Sequence, residues 1–260
     1  MTMAVKTVWI TGASSGIGQE FARRYAKLGF RLILTARRRD RLETLAAQLL
    51  EQYGTTCRIL TADLEQEAEC IRLCEELREE QIGLFINNAG FGVCGSFLET
   101  DPEKELAMAK VNVLAMHRLF KFAVQKMQTQ GGGTVLNVAS SAGLLPGGPY
   151  MAGYYATKAY VVSLTRGVAE ELREQRSPVY VCALCPGPVN TEFNDRAGVV
   201  FALKGITPEF CVDEALLGMM HHKTIIVPSA FMRLCTTAQK LVPTPLLMPI
   251  VARQQKKKLG

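Results

Sequence analysis

Short apolar runs alternate along the chain with longer stretches whose apolar positions recur every three to four residues. Val8-Trp9-Ile10 and Leu32-Ile33-Leu34 are continuously apolar. That is the pattern of parallel strands covered on both faces. It predicts strands over Lys6–Thr11, Arg31–Ala36, Cys57–Ala62, Gly83–Asn87, Gly133–Ala139, Pro178–Leu184 and Thr224–Val227. Between them it predicts helices over Gly16–Leu28, Asp40–Tyr53, Glu65–Glu80, Pro102–Thr129, Gly153–Gln175 and Pro208–Met220. Strand–helix alternation implies right-handed βαβ units and an α/β, doubly wound, seven-stranded parallel sheet. No linker or repeat divides the chain, so residues 1–260 form a single domain with a C-terminal apolar extension over 229–260. A second break in the alternation runs from Pro186 to Thr207. Long connections of this kind are lids or binding loops, which marks about 188–207 as a substrate loop.

Composition narrows the class. Apolar residues at 48% exclude a disordered chain. The net charge of +6 gathers in Arg37-Arg38-Arg39 with Arg41, and in Lys256-Lys257-Lys258. Aromatics at 7% do not interleave with these cations, which argues against nucleic-acid binding. The 8 cysteines are scattered, and Cys182 and Cys185 lie in a strand pattern, so they read as reduced core thiols in the cytoplasm. His117, His221 and His222 lack zinc spacing, so no metal is expected. No signal peptide fits ahead of the first strand and no run of 18 apolar residues occurs.

Two clusters carry chemistry. After the first strand, Gly12, Ser14, Ser15, Gly16, Ile17 and Gly18 fill a strand-to-helix turn. Glycines let a backbone approach a pyrophosphate, and the helix N-terminus offers free N–H groups to it. Tyr154 and Lys158 stand at i and i+4, on one helix face, whereas Tyr155 is turned away. An ammonium beside a phenol lowers the phenol's pKa and equips it for proton exchange with a carbonyl or hydroxyl oxygen. At the end of the second strand, Arg37 and Arg38 stand where an NAD site carries a carboxylate. Guanidinium forks suit a 2′-phosphate. NADP(H) is therefore expected over NAD(H), with Arg37 ahead of Arg38.

T-G-x-x-x-G-x-G from Thr11, Asn87-Asn88-Ala89-Gly90, Tyr154-x-x-x-Lys158 and Pro186-Gly187 follow one another in the order of the short-chain dehydrogenase/reductases, which the chain resembles over about residues 4–228. The resemblance implies a Rossmann-type fold and a ketone/secondary-alcohol oxidoreductase. It places Asp63 and Leu64 beside the adenine and Asn88, Ala89 and Gly90 by the ribose. Pro186, Gly187, Val189 and Thr191 would hold the carboxamide. Asn112 would hold a water linked to Lys158. For the serine, a following x-x-Gly selects Ser140 and the usual spacing to the tyrosine selects Ser141; an insertion at Gly147-Gly148 favours Ser140. Relatives include steroid-type dehydrogenases, and residues 144–152 and 192–206 offer apolar atoms for a bulky substrate. A homodimer or homotetramer is implied. Three roles stand open for the tail: packing on a neighbouring subunit, covering its own cleft, or touching a membrane. A nucleotide sensor without turnover is the alternative function.

Overall fold

The computed structural model describes residues 7–193 and 205–256. Seven parallel strands form one sheet in the order β3-β2-β1-β4-β5-β6-β7. They are β1 (Thr7–Thr11), β2 (Arg31–Ala36), β3 (Cys57–Thr61), β4 (Leu84–Asn87), β5 (Gly133–Val138), β6 (Val179–Leu184) and β7 (Ile225–Ile226). The helices are α1 (Gly16–Lys27), α2 (Arg39–Tyr53), α3 (Glu67–Glu76), α4 (Pro102–Ala109), α5 (Met116–Thr129), α6 (Ala152–Glu174), α7 (Pro208–Met220), α8 (Ala230–Ala238) and α9 (Thr244–Lys256).

Strand alternation divides the core in two. Trp9, Ile33, Phe85, Val135 and Val181 face one layer with Leu73, Leu119 and Val161. Val8, Ile10, Leu32, Leu34 and Ile86 face the other, with Phe21, Leu45 and Val212. Each fully buried leucine or isoleucine contributes about 2 kcal/mol of transfer free energy. Trp9 stacks on Phe85 with ring centroids 4.0 Å apart, and its Nε1 donates to Thr35 Oγ1 at 2.9 Å, so its one polar atom is satisfied.

Between β1 and β4 the strand order reverses. Connections leave their carboxyl ends in opposite directions, which opens a crevice there. The expected strands and sheet stand as read.

Three expectations on the helices are corrected. The third helix is shorter, Glu67–Glu76 rather than Glu65–Glu80. The span Pro102–Thr129 is not one α-helix: a π-helical turn, Lys110–Ala115, separates α4 from α5. Such turns admit an extra residue and recur at functional sites. The tail, left without elements, folds into α8 and α9. Ser229 caps α8, its Oγ accepting from Met232 N at 3.5 Å. Pro245 falls in the first turn of α9, where proline is tolerated, and only Pro249 interrupts the helix interior.

Candidate active site

The turn after β1 shows why glycines stand there. Gly12 has φ +65°, and a Cβ on it would lie 2.7 Å from Asn88 Nδ2. A Cβ on Gly18 would lie 2.4 Å from the Gly12 carbonyl oxygen, so this residue lets α1 close onto the strand. Asn88 Nδ2 donates to Thr11 O at 2.9 Å, and the Asn88 and Ala89 amides donate to Thr11 Oγ1 at 3.0 and 3.1 Å. These bonds tie the ends of β1 and β4 together. Ser15 makes no capping bond to α1, so its side chain leaves the first-turn N–H groups to other acceptors. Gly18→Ala is expected to lower the melting temperature and abolish dinucleotide binding. Differential scanning fluorimetry with and without dinucleotide reads both, and an unchanged ligand-induced shift refutes the packing argument.

Above the turn lies a cleft of about 760 Å³. Every catalytic and cofactor-binding residue expected from the sequence lines it except Gly18 and Asn112, which stand behind its wall. Arg38 donates to Ser14 Oγ at 3.1 Å and pairs with Glu192 at 3.2 Å. Arg37 is more exposed and is held by Glu65 at 2.9 Å, with Asp63 at 3.9 Å. The order expected from the sequence put Arg37 first. Carboxylates engage both, Glu192 on Arg38 and Glu65 with Asp63 on Arg37, and Arg38 is the one that also reaches Ser14 of the glycine turn.

At the other end, Tyr154 and Lys158 project from one face of α6 and are both buried. Lys158 Nζ donates to Val138 O at 2.9 Å and lies 5.9 Å from the Tyr154 ring centroid. Burial pushes the Tyr154 phenol up to about 12, opposed by a hydrogen bond with Ser140. Burial also pushes Lys158 down to about 8, offset in part by Cys185. The sequence reading expected a depressed phenol. The chain's own groups hold it protonated instead, because desolvation exceeds the help from Ser140 and the ammonium is turned to a carbonyl. Ser140 is the serine that reaches Tyr154; its Oγ accepts from Ala142 N at 3.1 Å and donates to Pro186 O at 3.4 Å. Ser141 begins the next turn and donates its amide to Pro186 O at 2.8 Å.

Asn112 sits in the π turn and is 1% exposed. Its Nδ2 donates to Phe91 O at 2.8 Å and Thr157 Oγ1 at 3.1 Å, and its Oδ1 accepts from Phe91 N at 3.1 Å. Both Nδ2 hydrogens are thus committed to protein acceptors, and Oδ1 accepts one protein bond. A Cβ on Gly90 would meet Asn112 Oδ1 at 2.8 Å and Lys158 Nζ at 3.3 Å, which places both beside that glycine.

Tyr155's place at the site escaped the sequence, and the tail's place there was one of three roles left open. Tyr155, read as turned away, also lines the cleft, and its hydroxyl accepts from Gln255 Nε2 at 2.5 Å. Leu247, Ile250 and Val251 of α9 complete the wall. The tail therefore covers its own cleft. Within the substrate loop, Val189 and Ile206 pair as a parallel bridge, and Phe193 packs at 5.6 Å from the Tyr154 ring. Residues 194–204 of that loop lie outside the described residues. Of the segment 144–152, Leu145 and Met151 reach the cleft.

A glycine turn at the switch point of a doubly wound sheet, facing a Ser-Tyr-Lys group, defines a dinucleotide-dependent oxidoreductase site. The short chain dehydrogenase model matches residues 6–198. A short-chain dehydrogenase from Sphingobium yanoikuyae, solved in complex with NADPH, superposes with TM-score 0.83 at 34% identity over 93% of this chain and 94% of that one. The bulky-bulky ketone specific alcohol dehydrogenase from Comamonas testosteroni gives TM-score 0.78 at 31% identity over 92% and 94%. A very-long-chain 3-oxoacyl-CoA reductase from Anas platyrhynchos is 28% identical over 254 residues, 95% of this chain and 79% of that protein. The chain belongs to the short-chain dehydrogenase/reductase family and is an oxidoreductase. Among the described residues no helix is long and apolar enough to cross a membrane.

Proposed function

We propose that the protein is an NADP(H)-dependent reductase that interconverts bulky, largely apolar ketones with their secondary alcohols. One observation carries the reading: a single cleft has the Arg38–Ser14 corner at one end and buried Tyr154 with Ser140 at the other, under apolar side chains of α9. The glycine turn fits a dinucleotide, because side chains at residues 12 and 18 would fill its cradle. The first-turn amides of α1, from Gly16, Ile17 and their neighbours, would receive the pyrophosphate. Ser14, Arg38 and Arg37 would hold the 2′-phosphate, with Asp63 and Leu64 against the adenine. Asn88, Ala89 and Gly90 border the ribose site, and Pro186, Gly187, Val189 and Thr191 the carboxamide site. When bound, the cofactor supplies the hydride.

The chain manages the proton. Tyr154 Oη, held protonated, donates to the substrate's carbonyl oxygen. Ser140 Oγ hydrogen-bonds that oxygen and stabilises the charge that develops there. Lys158 Nζ restores the proton balance and orients the ribose. Asn112 acts through position, bracing Phe91 and the strand end beside Lys158. The 3-oxoacyl-CoA and bulky-ketone relatives, with the apolar cleft wall, support a large substrate. We further place the protein in the cytoplasm, where its eight free cysteines stay reduced. A homodimer or homotetramer would form through α4–α6, where Leu106 and Leu114 are exposed.

Oxidation of NADPH in the presence of ketones of graded size tests the reading. Bulky aryl, steroid and 3-oxoacyl ketones should turn over and small ketones should not. Tight NADPH binding without turnover of any of them would establish the sensor instead. Arg38→Ala is expected to raise the NADPH Kd about tenfold, the scale of one charge-assisted contact, and to leave NADH binding unchanged. Arg37→Ala should have the smaller effect. Fluorescence titration separates the two, and equal losses for both cofactors would remove the 2′-phosphate assignment.

A further inference from the structure

The two tail helices have outward faces that the cleft shares only at Phe231 and Ile250. α8 turns Met232, Thr236 and Gln239 inward. Its other face puts Phe231, Leu234, Ala238 and then Leu241 outward at three- to four-residue spacing. α9 turns Leu247, Val251 and Gln255 inward and leaves Leu246 and Ile250 outward. Leu241 is 87% exposed and Leu246 64%. Phe231 and Ile250 belong both to this surface and to the cleft lining, so the apolar patch reaches the cleft mouth. Exposed large apolar side chains gathered on one short segment in this way mark an interaction site.

The charge says what kind. Residues 229–260 contain Arg233, Lys240, Arg253, Lys256, Lys257 and Lys258, and no Asp or Glu. Of the chain's 30 basic residues these are six, and outside the tail 24 basic residues balance 24 acidic ones, so the tail's cations are unopposed within their own segment. Arg233 is met by Glu214 at 2.7 Å. Among the described residues, Lys240, Arg253 and Lys256 make no ion pair.

We propose that this surface docks on an anionic lipid bilayer, with the outward leucines and Ile250 entering the interfacial layer and the cations meeting headgroup phosphates. A second copy of the chain is the rival occupant. A two-fold contact through this face would join two tails that each carry cations and no carboxylate, whereas association favours opposite potentials. Docking turns the cleft mouth toward the bilayer, so an apolar ketone enters without crossing water. That route rests on the proposed function; the docking itself does not.

Sedimentation of the full-length protein with vesicles, without cofactor or substrate, tests the docking. One set is phosphatidylcholine alone and the other equimolar phosphatidylcholine and phosphatidylglycerol. Binding to the anionic vesicles is expected to be stronger by at least about tenfold and to fall as salt is raised. The combined variant L234S/L241S/L246S should lose about tenfold of it, with circular dichroism unchanged because these side chains face water. Absent binding, or equal binding to both vesicle types, overturns the proposal. So does a dimer that the same variant dissociates in sedimentation velocity, which would assign the patch to a second copy. A failed ketone assay leaves the docking standing, and failed vesicle binding leaves the reductase reading standing.

Discussion

Tyr154→Phe should lower ketone turnover by about three orders of magnitude, within the range that a positioned proton donor contributes. The NADPH Kd should change by less than about twofold, because the phenol's work falls in the transition state rather than in ground-state binding. The geometry makes the prediction specific. Tyr154 is buried, its hydroxyl is bonded with Ser140, and burial holds it protonated, which is the state a donor to a carbonyl oxygen needs. Tyr155 supplies the internal control. It sits next along the same helix and lines the same cleft, but its hydroxyl is engaged with Gln255. Tyr155→Phe should retain turnover and raise KM, since it loosens α9 over the cleft. If Tyr155→Phe loses as much kcat as Tyr154→Phe, the proton has been given to the wrong phenol.

The sheet and the glycine turn were legible in the sequence for one reason: both are set by local pattern. A short continuous apolar run bounded by turn residues suits a strand covered on both faces, and a glycine at φ +65° such as Gly12 serves a turn that other residues enter at a cost. Tyr154 and Lys158 were legible because helical spacing alone puts them together. What failed to show depends on distant partners. Gln255 meets Tyr155 across a separation of 100 residues, which no window along the chain contains. Pro243, Pro245 and Pro249 read as breakers, although two of them lie at or before the start of α9. The spacing of Phe231, Leu234, Ala238 and Leu241 behind Ser229 was the signal that could have revealed α8. Which of Arg37 and Arg38 reaches Ser14 was hidden for the same reason. Adjacent side chains differ in direction, and only the positions of Ser14, Asp63 and Glu65 decide which one faces the glycine turn. Asn112 was named by the resemblance, but its partner Phe91 stands 21 residues away and the π turn around it left no mark in the pattern.

Lys158→Met should abolish turnover and yet make the protein more stable at neutral pH. Burial depresses the folded-state pKa of Lys158 from 10.5 to about 8, so at pH 7 the fold carries a charge it would bind less readily than the unfolded chain does. A shift of that size corresponds to roughly 3 kcal/mol. Loss of the Nζ bond to Val138 O, 2.9 Å long, returns about 1 kcal/mol of it. Methionine fills the same stem volume without the charge. The melting temperature should therefore rise by about 4 °C at pH 7, given the usual 2–4 °C per kcal/mol for chains near this length. The sign follows from proton binding. Between about pH 8 and 10.5 the unfolded lysine holds a proton that the folded one has released, so wild-type stability rises with pH across that window. The cost is fully present below the folded pKa, and the advantage of the variant should fade as pH climbs toward 10.5. Wild-type reduction should run the other way, losing rate above about pH 8 as the ammonium that replenishes Tyr154 is lost. Thermal melts of both proteins across pH, beside the wild-type rate profile, read all three effects. A variant that melts at or below wild type at pH 7 would show that the ammonium is stabilised in the folded cleft, and the acid form of Tyr154 could then no longer be attributed to desolvation outweighing its neighbour.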